Sequence, residues 1–108
     1  MELYRKYLKE REDAHLISHD WGFAVYKYGV DHVYLQDIYV IPEKREEGLG
    51  GLLMRQVASE ARAEGYNKMV GSVVPSTKFA NEMNEVMRKV GFKLHSSDKD
   101  IIYYVKEI

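Results

Sequence analysis

The residues best suited to chemistry run Pro42-Glu43-Lys44-Arg45-Glu46-Glu47-Gly48-Leu49-Gly50-Gly51, between an apolar stretch ending at Ile41 and an amphipathic stretch starting at Leu49. Glycines at a strand-to-helix turn let main-chain amides approach a ligand closely. Free N–H groups and the helix dipole make such a helix start attractive to phosphate. The same glycines could equally open a helix that binds nothing. Two phosphate-binding signatures do not fit. A P-loop needs Gly-Lys-Ser/Thr where the chain has Gly50-Gly51-Leu52, and a dinucleotide fingerprint needs a glycine where Leu53 stands.

The elements that must position this loop follow from periodicity. Leu3, Tyr4, Tyr7 and Leu8 share one face of a helix predicted over 3–14. Residues 21–28 read as a strand, followed by the turn Gly29-Val30-Asp31-His32. Val33 to Ile41 reads as a second strand, so uniformly apolar or aromatic that burial on both faces is expected, with Pro42 ending it. Leu49, Leu52, Leu53, Val57 and Ala61 mark a helix closed by Gly65. Met69–Val74 is a strand ended by Pro75, and Phe79, Met83, Val86, Met87 and Val90 mark a helix closed by Gly91. Phe92–His95 and Ile101–Lys106 are short strands around Ser96-Ser97-Asp98-Lys99-Asp100. The expected order is α-β-β-α-β-α-β-β. Its middle is the size of a βαβ unit with parallel strands, and its end hairpins imply antiparallel neighbours. The fold class is therefore α/β (α+β), a mixed sheet flanked by helices in one domain spanning 1–108.

Composition narrows the function classes. The 108 residues include no cysteine, which excludes disulfide frameworks, thiolate metal sites and cysteine nucleophiles. Sixteen Lys+Arg against 17 Asp+Glu give a net charge of −1, without the basic footprint of a nucleic-acid binder. No apolar run approaches a membrane span, and Met1-Glu2-Leu3-Tyr4-Arg5-Lys6 does not resemble a signal peptide, so a cytoplasmic protein is expected. His15 and His19 are four apart and could share a helical face, but no third ligand is evident and no metal is expected.

The pattern Arg45-x-x-Gly48-x-Gly50, after Asp37-Ile38-Tyr39-Val40-Ile41-Pro42 and before Leu52-Leu53, resembles the acetyl-CoA motif of the GNAT family of N-acetyltransferases. Downstream, a strand, a helix and Lys89-Val90-Gly91-Phe92 resemble that family's ending, so the resemblance covers roughly 33–95. It implies a GNAT-like sheet with acetyl-CoA as co-substrate, lying between Val33–Ile41 and Met69–Val74. It further implies that backbone groups of Tyr39 and Val40 pair with the pantetheine arm. Amides of Arg45, Glu46, Glu47, Gly48, Leu49 and Gly50, with Gly51, would hold the pyrophosphate, and Asn81 is a further candidate contact. The activity implied is acetyl transfer to a primary amine, on a protein or a small molecule, by direct attack. Asp37, Tyr34 and Tyr39 would sit near the reacting atoms.

The chain departs from the family at several points. A family tyrosine that protonates the leaving thiolate corresponds to Met87, read here as helix core, and a glutamate base of one branch corresponds to Gln36. Asp37 is either a base or anchor for a cationic amine, or a carboxylate bonded to backbone. Glu46 and Glu47 replace the glycine and polar residue usual there, and are expected to face solvent. With about 32 residues before the motif strand, the amino-terminal part is short for the family. Either the acceptor site is open, which suits a protein substrate, or a second copy of the chain in a homodimer supplies a wall. The alternative reading is a non-catalytic GNAT-fold protein that binds CoA or a protein partner, as in phage-type accessory proteins, which share this brevity.

Overall fold

A computed structural model describes residues 1–108. The elements are α1 (Glu2–Glu12), β1 (His15–His19), β2 (Gly22–Tyr28), β3 (Val33–Val40), a 3-10 turn (Pro42–Lys44), α2 (Leu49–Ala63), β4 (Lys68–Val73), α3 (Ala80–Lys89), β5 (Lys93–Ser97) and β6 (Ile102–Glu107). They build a six-stranded mixed sheet in the order β1-β2-β3-β4-β6-β5. The expected order lacked β1. His15 and His19 stand on that strand and not on a helix, in register with Tyr26 and Gly22.

Only the β3–β4 pairing is parallel, as the β3-α2-β4 unit requires, and every other pairing is antiparallel. Apolar clusters cover the sheet on both faces. One face carries Ala24, Tyr26, Val33, Leu35, Met69, Val73 and Tyr104 beneath α2 and α3, which contribute Leu53, Met54, Val57 and Met87. The other carries Leu16 and Val25 beneath Leu8 of α1, with Phe23 and Tyr4 packed alongside. This two-sided cover matches β2, where the consecutive residues Ala24, Val25 and Tyr26 are all buried. The buried stripe of α2 is Gly51, Leu53, Met54, Val57, Ala58 and Ala61. Its small residues let the helix lie close: a Cβ on Gly51 would sit 3.2 Å from Val90 Cγ1 at the end of α3.

The expected burial of β3 on both faces is not observed: in its first half Val33 and Leu35 are buried on the α2 face, and Tyr34 and Gln36 on the other are half-buried. In its second half Asp37 and Tyr39 are exposed. A bulge accounts for the change. Val25 pairs with Asp37 and Tyr26 with Leu35, so Gln36 is an extra residue on β3. A bulge bends and twists its strand, and from this point β3 leaves β4.

Candidate functional site

The parallel ladder consists of Val33↔Met69, Tyr34↔Val70 and Leu35↔Gly71, and stops there. Beyond it the two strands diverge, leaving a cleft with β3 from Gln36 to Val40 on one side and the end of β4 on the other. The register shows which backbone groups line it. Ile41 N–H donates to Trp21 O at 2.9 Å, which makes Trp21/Ile41 a hydrogen-bonded antiparallel pair. Such pairs alternate with pairs whose polar groups point away. Tyr39 therefore bonds toward β2, while Ile38 and Val40 turn their N–H and C=O groups toward the cleft. Of the two residues expected at the pairing edge, Val40 turns its backbone groups to the cleft and Tyr39 turns its own to β2, while Ile38 faces the cleft beside Val40. Ile38 N–H is met by Asp37 Oδ1 at 2.9 Å, and Val40 O accepts from Arg45 Nε at 2.9 Å.

At the open end of the cleft, Gly48 takes φ +79, and an added Cβ there would meet nothing within 4 Å. Glu46 also adopts a left-handed backbone, φ 66, uncommon for a side-chain-bearing residue. The amide of Arg45 is taken by Pro42 O at 3.3 Å. The amides of Glu46, Glu47, Gly48, Leu49, Gly50 and Gly51 meet no backbone or side-chain acceptor, and α2 has no side-chain cap. These are the donors a helix start leaves free, and the helix dipole adds partial positive charge. Glu46 and Glu47 are exposed and unpaired, as expected for carboxylates turned to solvent. Gly51 has a second role in packing against Val90.

The Arg45 guanidinium spans the mouth, 5.6 Å from the Tyr39 ring and 5.4 Å from the Phe79 ring. Phe79 caps α3 with φ 67 and is exposed; nothing in its residue type announced this place. Asn81 is exposed in the first turn of α3 and makes no side-chain hydrogen bond. Asn84 instead accepts from Tyr104 OH at 2.6 Å, a structural contact.

Near the point of divergence, Tyr34 OH meets Ser72 Oγ at 2.6 Å, bridging β3 and β4. Gln36 Nε2 donates to Glu12 Oε1 at 2.9 Å, and Lys27 Nζ lies 3.6 Å from the same oxygen. Asp37 faces the α1 side of the sheet. Desolvation raises its carboxyl above the usual range, against the lowering effect of the Ile38 N–H. The Tyr4 hydroxyl is likewise pushed up, first by desolvation and then by the charges of Asp37 and Glu12. Met87 is buried in the core, its Cε over Gly71. No three His, Cys, Asp or Glu side chains gather as metal ligands, and no helix is long and apolar enough to cross a membrane. Two shallow surface depressions, beside Asp31 and Tyr66 and along Leu3 and Tyr7 of α1, lie away from the cleft.

The acetyltransferase (GNAT) family model matches residues 4–92. The chain belongs to the GNAT family. No curated protein matches it by sequence. Among solved structures, a GNAT-family protein from Desulfovibrio desulfuricans aligns with TM-score 0.79 at 20% identity, covering 98% of this chain and 77% of that one. A GNAT acetyltransferase from Elizabethkingia anophelis, solved with acetyl-CoA bound, aligns at 0.76 with 19% identity, covering 99% and 82%. An anti-CRISPR protein, AcrVA5, aligns at 0.69 with 18% identity, covering 83% of this chain and 96% of its own. At these identities the likeness establishes the GNAT fold.

Proposed function

We propose that the chain is an acetyl-CoA-dependent N-acetyltransferase that passes the acetyl group to a primary amine by direct attack. The observation that carries this reading is the row of six acceptor-free amides, Glu46 to Gly51, at the mouth of a cleft lined by Val40 and Ile38 backbone groups. Amides at a helix start suit a pyrophosphate, and an exposed strand edge suits an amide-bearing arm, which can pair with it as an added strand does. The likeness to the acetyl-CoA-bound Elizabethkingia structure supports the same ligand.

Direct attack needs the amine uncharged, the thioester carbonyl within reach and a destination for the departing electrons. Asp37 is the one carboxylate on the Gln36–Val40 stretch that edges the cleft. It is placed to hold a cationic amine or accept its proton, and a raised pKa makes it a better base than an ordinary aspartate. Holding the two reactants in line supplies much of the rate in such reactions.

A second reading, a non-catalytic CoA-binding or partner-binding protein, draws on two observations. Met87 is core, and Gln36 is engaged by Glu12. The anti-CRISPR likeness is compatible with it. Calorimetry with acetyl-CoA, using Gly48→Trp as control, tests the CoA-binding part shared by both enzymatic and CoA-binding readings. Binding by the wild type that Gly48→Trp abolishes supports the loop. No binding by a folded wild type at millimolar acetyl-CoA refutes it. Release of free thiol with an amine panel then separates transfer from binding alone.

A further inference from the structure

We propose that Tyr34, held by Ser72, is the proton donor to the departing thiolate, so that a hydroxyl pair across the strand divergence supplies the acid absent at Met87. This rests on the acetyl-CoA reading above. The placement follows from lengths along β3. From Val40 at the mouth to Leu35, the last residue paired with β4, is five residues or about 16 Å. A pantetheine arm, from pyrophosphate to sulfur, has about the length of four extended residues, or about 14 Å. With the pyrophosphate on the Glu46–Gly51 amides and the arm along Val40 and Ile38, the sulfur reaches no deeper than Gln36, next to the last ladder pair.

Several groups flank that point, and among them the Tyr4 phenol is made a poorer acid by desolvation and by the charges of Asp37 and Glu12. On the α2 face the groups are Leu35, Gly71 and the Met87 methyl, none of which carries an acidic proton. On the opposite face Tyr34 precedes the last pair and Ser72 follows it, and their hydroxyls meet at 2.6 Å. Tyr39 is four residues farther toward the mouth, with its ring against Phe23 and Arg45, so it flanks the arm and not the sulfur. A phenol is a stronger acid than a serine hydroxyl, which assigns the transferred proton to Tyr34. Ser72 is the positioning residue: either hydroxyl can donate in this pair, and with the Tyr34 proton turned to sulfur it is the Ser72 O–H that donates.

The step balances as follows. The amine lone pair forms the C–N bond, the C–S bond breaks with its electrons on sulfur, and the Tyr34 proton passes to sulfur. The phenolate, stabilised by Ser72 O–H, takes the proton that the new amide nitrogen sheds.

The test measures free-thiol release from acetyl-CoA with spermidine and with a lysine-containing peptide, alongside calorimetry of the same preparations. Tyr34→Phe should lower kcat by about 100-fold or more and leave acetyl-CoA affinity within about twofold. Ser72→Ala should lower kcat less while leaving the KM for acetyl-CoA unchanged, and Ser72→Thr, which restores a hydroxyl, should return kcat. Unchanged kcat in Tyr34→Phe, or a kcat in Ser72→Ala that Ser72→Thr does not restore although both fold fully by circular dichroism, overturns the assignment. Tight acetyl-CoA binding with no thiol release for any amine overturns it too. Failure to bind acetyl-CoA removes the underlying reading and this one with it.

Discussion

Gly48→Ala separates ligand recognition from backbone strain, because the fold contains its own control. Gly48 and Gly65 both hold a left-handed backbone, φ +79 and φ +95, and an added Cβ at either meets nothing within 4 Å. Alanine at each position therefore brings the same penalty and no clash, about 1–2 kcal/mol from the left-handed conformation. At this chain length that lowers Tm by about 4 °C or more per kcal/mol. The two sites flank the 15-residue α2, about 22 Å apart along its axis. Only Gly48 borders the free amides. With acetyl-CoA at 100 times the wild-type Kd, wild type and Gly65→Ala should gain about 2.7 kcal/mol of stability. A tenfold loss of affinity in Gly48→Ala would reduce that gain by about 1.3 kcal/mol. Paired melts with and without acetyl-CoA, backed by calorimetry, read the difference directly. Equal ligand-induced shifts in the two variants would refute the placement of the pyrophosphate at this loop.

Three further outcomes are expected. Gly22→Ala would put a Cβ 2.3 Å from the Tyr39 carbonyl oxygen, where backbone must move, so urea denaturation should show a loss of about 2 kcal/mol. Gly51→Ala should destabilise through Val90, 3.2 Å from the new Cβ, and Gly51→Ala with Val90→Ala should show a favourable coupling of about 0.5 kcal/mol or more in a double-mutant cycle. The raised carboxyl of Asp37 means that the folded chain holds this proton more tightly than the unfolded one, so its contribution is present at low pH and lost as pH rises through the folded value. Asp37→Asn keeps an oxygen for Ile38 N–H and removes that loss. Its stability relative to wild type should rise between pH 3 and pH 7 in urea titrations, and a flat difference would contradict the shift.

The parts of the site legible in the sequence are those made by consecutive residues. Gly48 and its neighbours announce a strand-to-helix turn, because few other residues tolerate such a backbone, and Gly65 and Gly91 mark helix ends in the same way. Met87 as helix core follows from its spacing with Met83 and Val90. What escaped depends on partners. β1 has five residues, and the interval between His15 and His19 fits a helical face as well as a strand. The bulge at Gln36 exists only relative to β2, so nothing in Leu35-Gln36-Asp37 reveals that Asp37 and Tyr39 will turn outward. Phe79 and Glu46 take left-handed backbones that their residue types do not favour. Tyr34 and Ser72 are 38 positions apart and meet only because the parallel crossover sets their strands side by side.

The brevity of the β3–β4 ladder bears on how the molecule opens. Three residue pairs join β1-β2-β3 to β4-β6-β5, while each half is internally tied by long antiparallel ladders. The halves are otherwise joined by the shared core under α2 and α3. The sheet is thus a seam between two blocks. The Val40 amide, on the open stretch of that seam, should exchange its hydrogen far faster than the Val33 and Leu35 stretch of the same strand. A molecule bridging the two sides would act as a stitch, slowing exchange at Val40 and sharpening the cooperativity with which the two blocks unfold together.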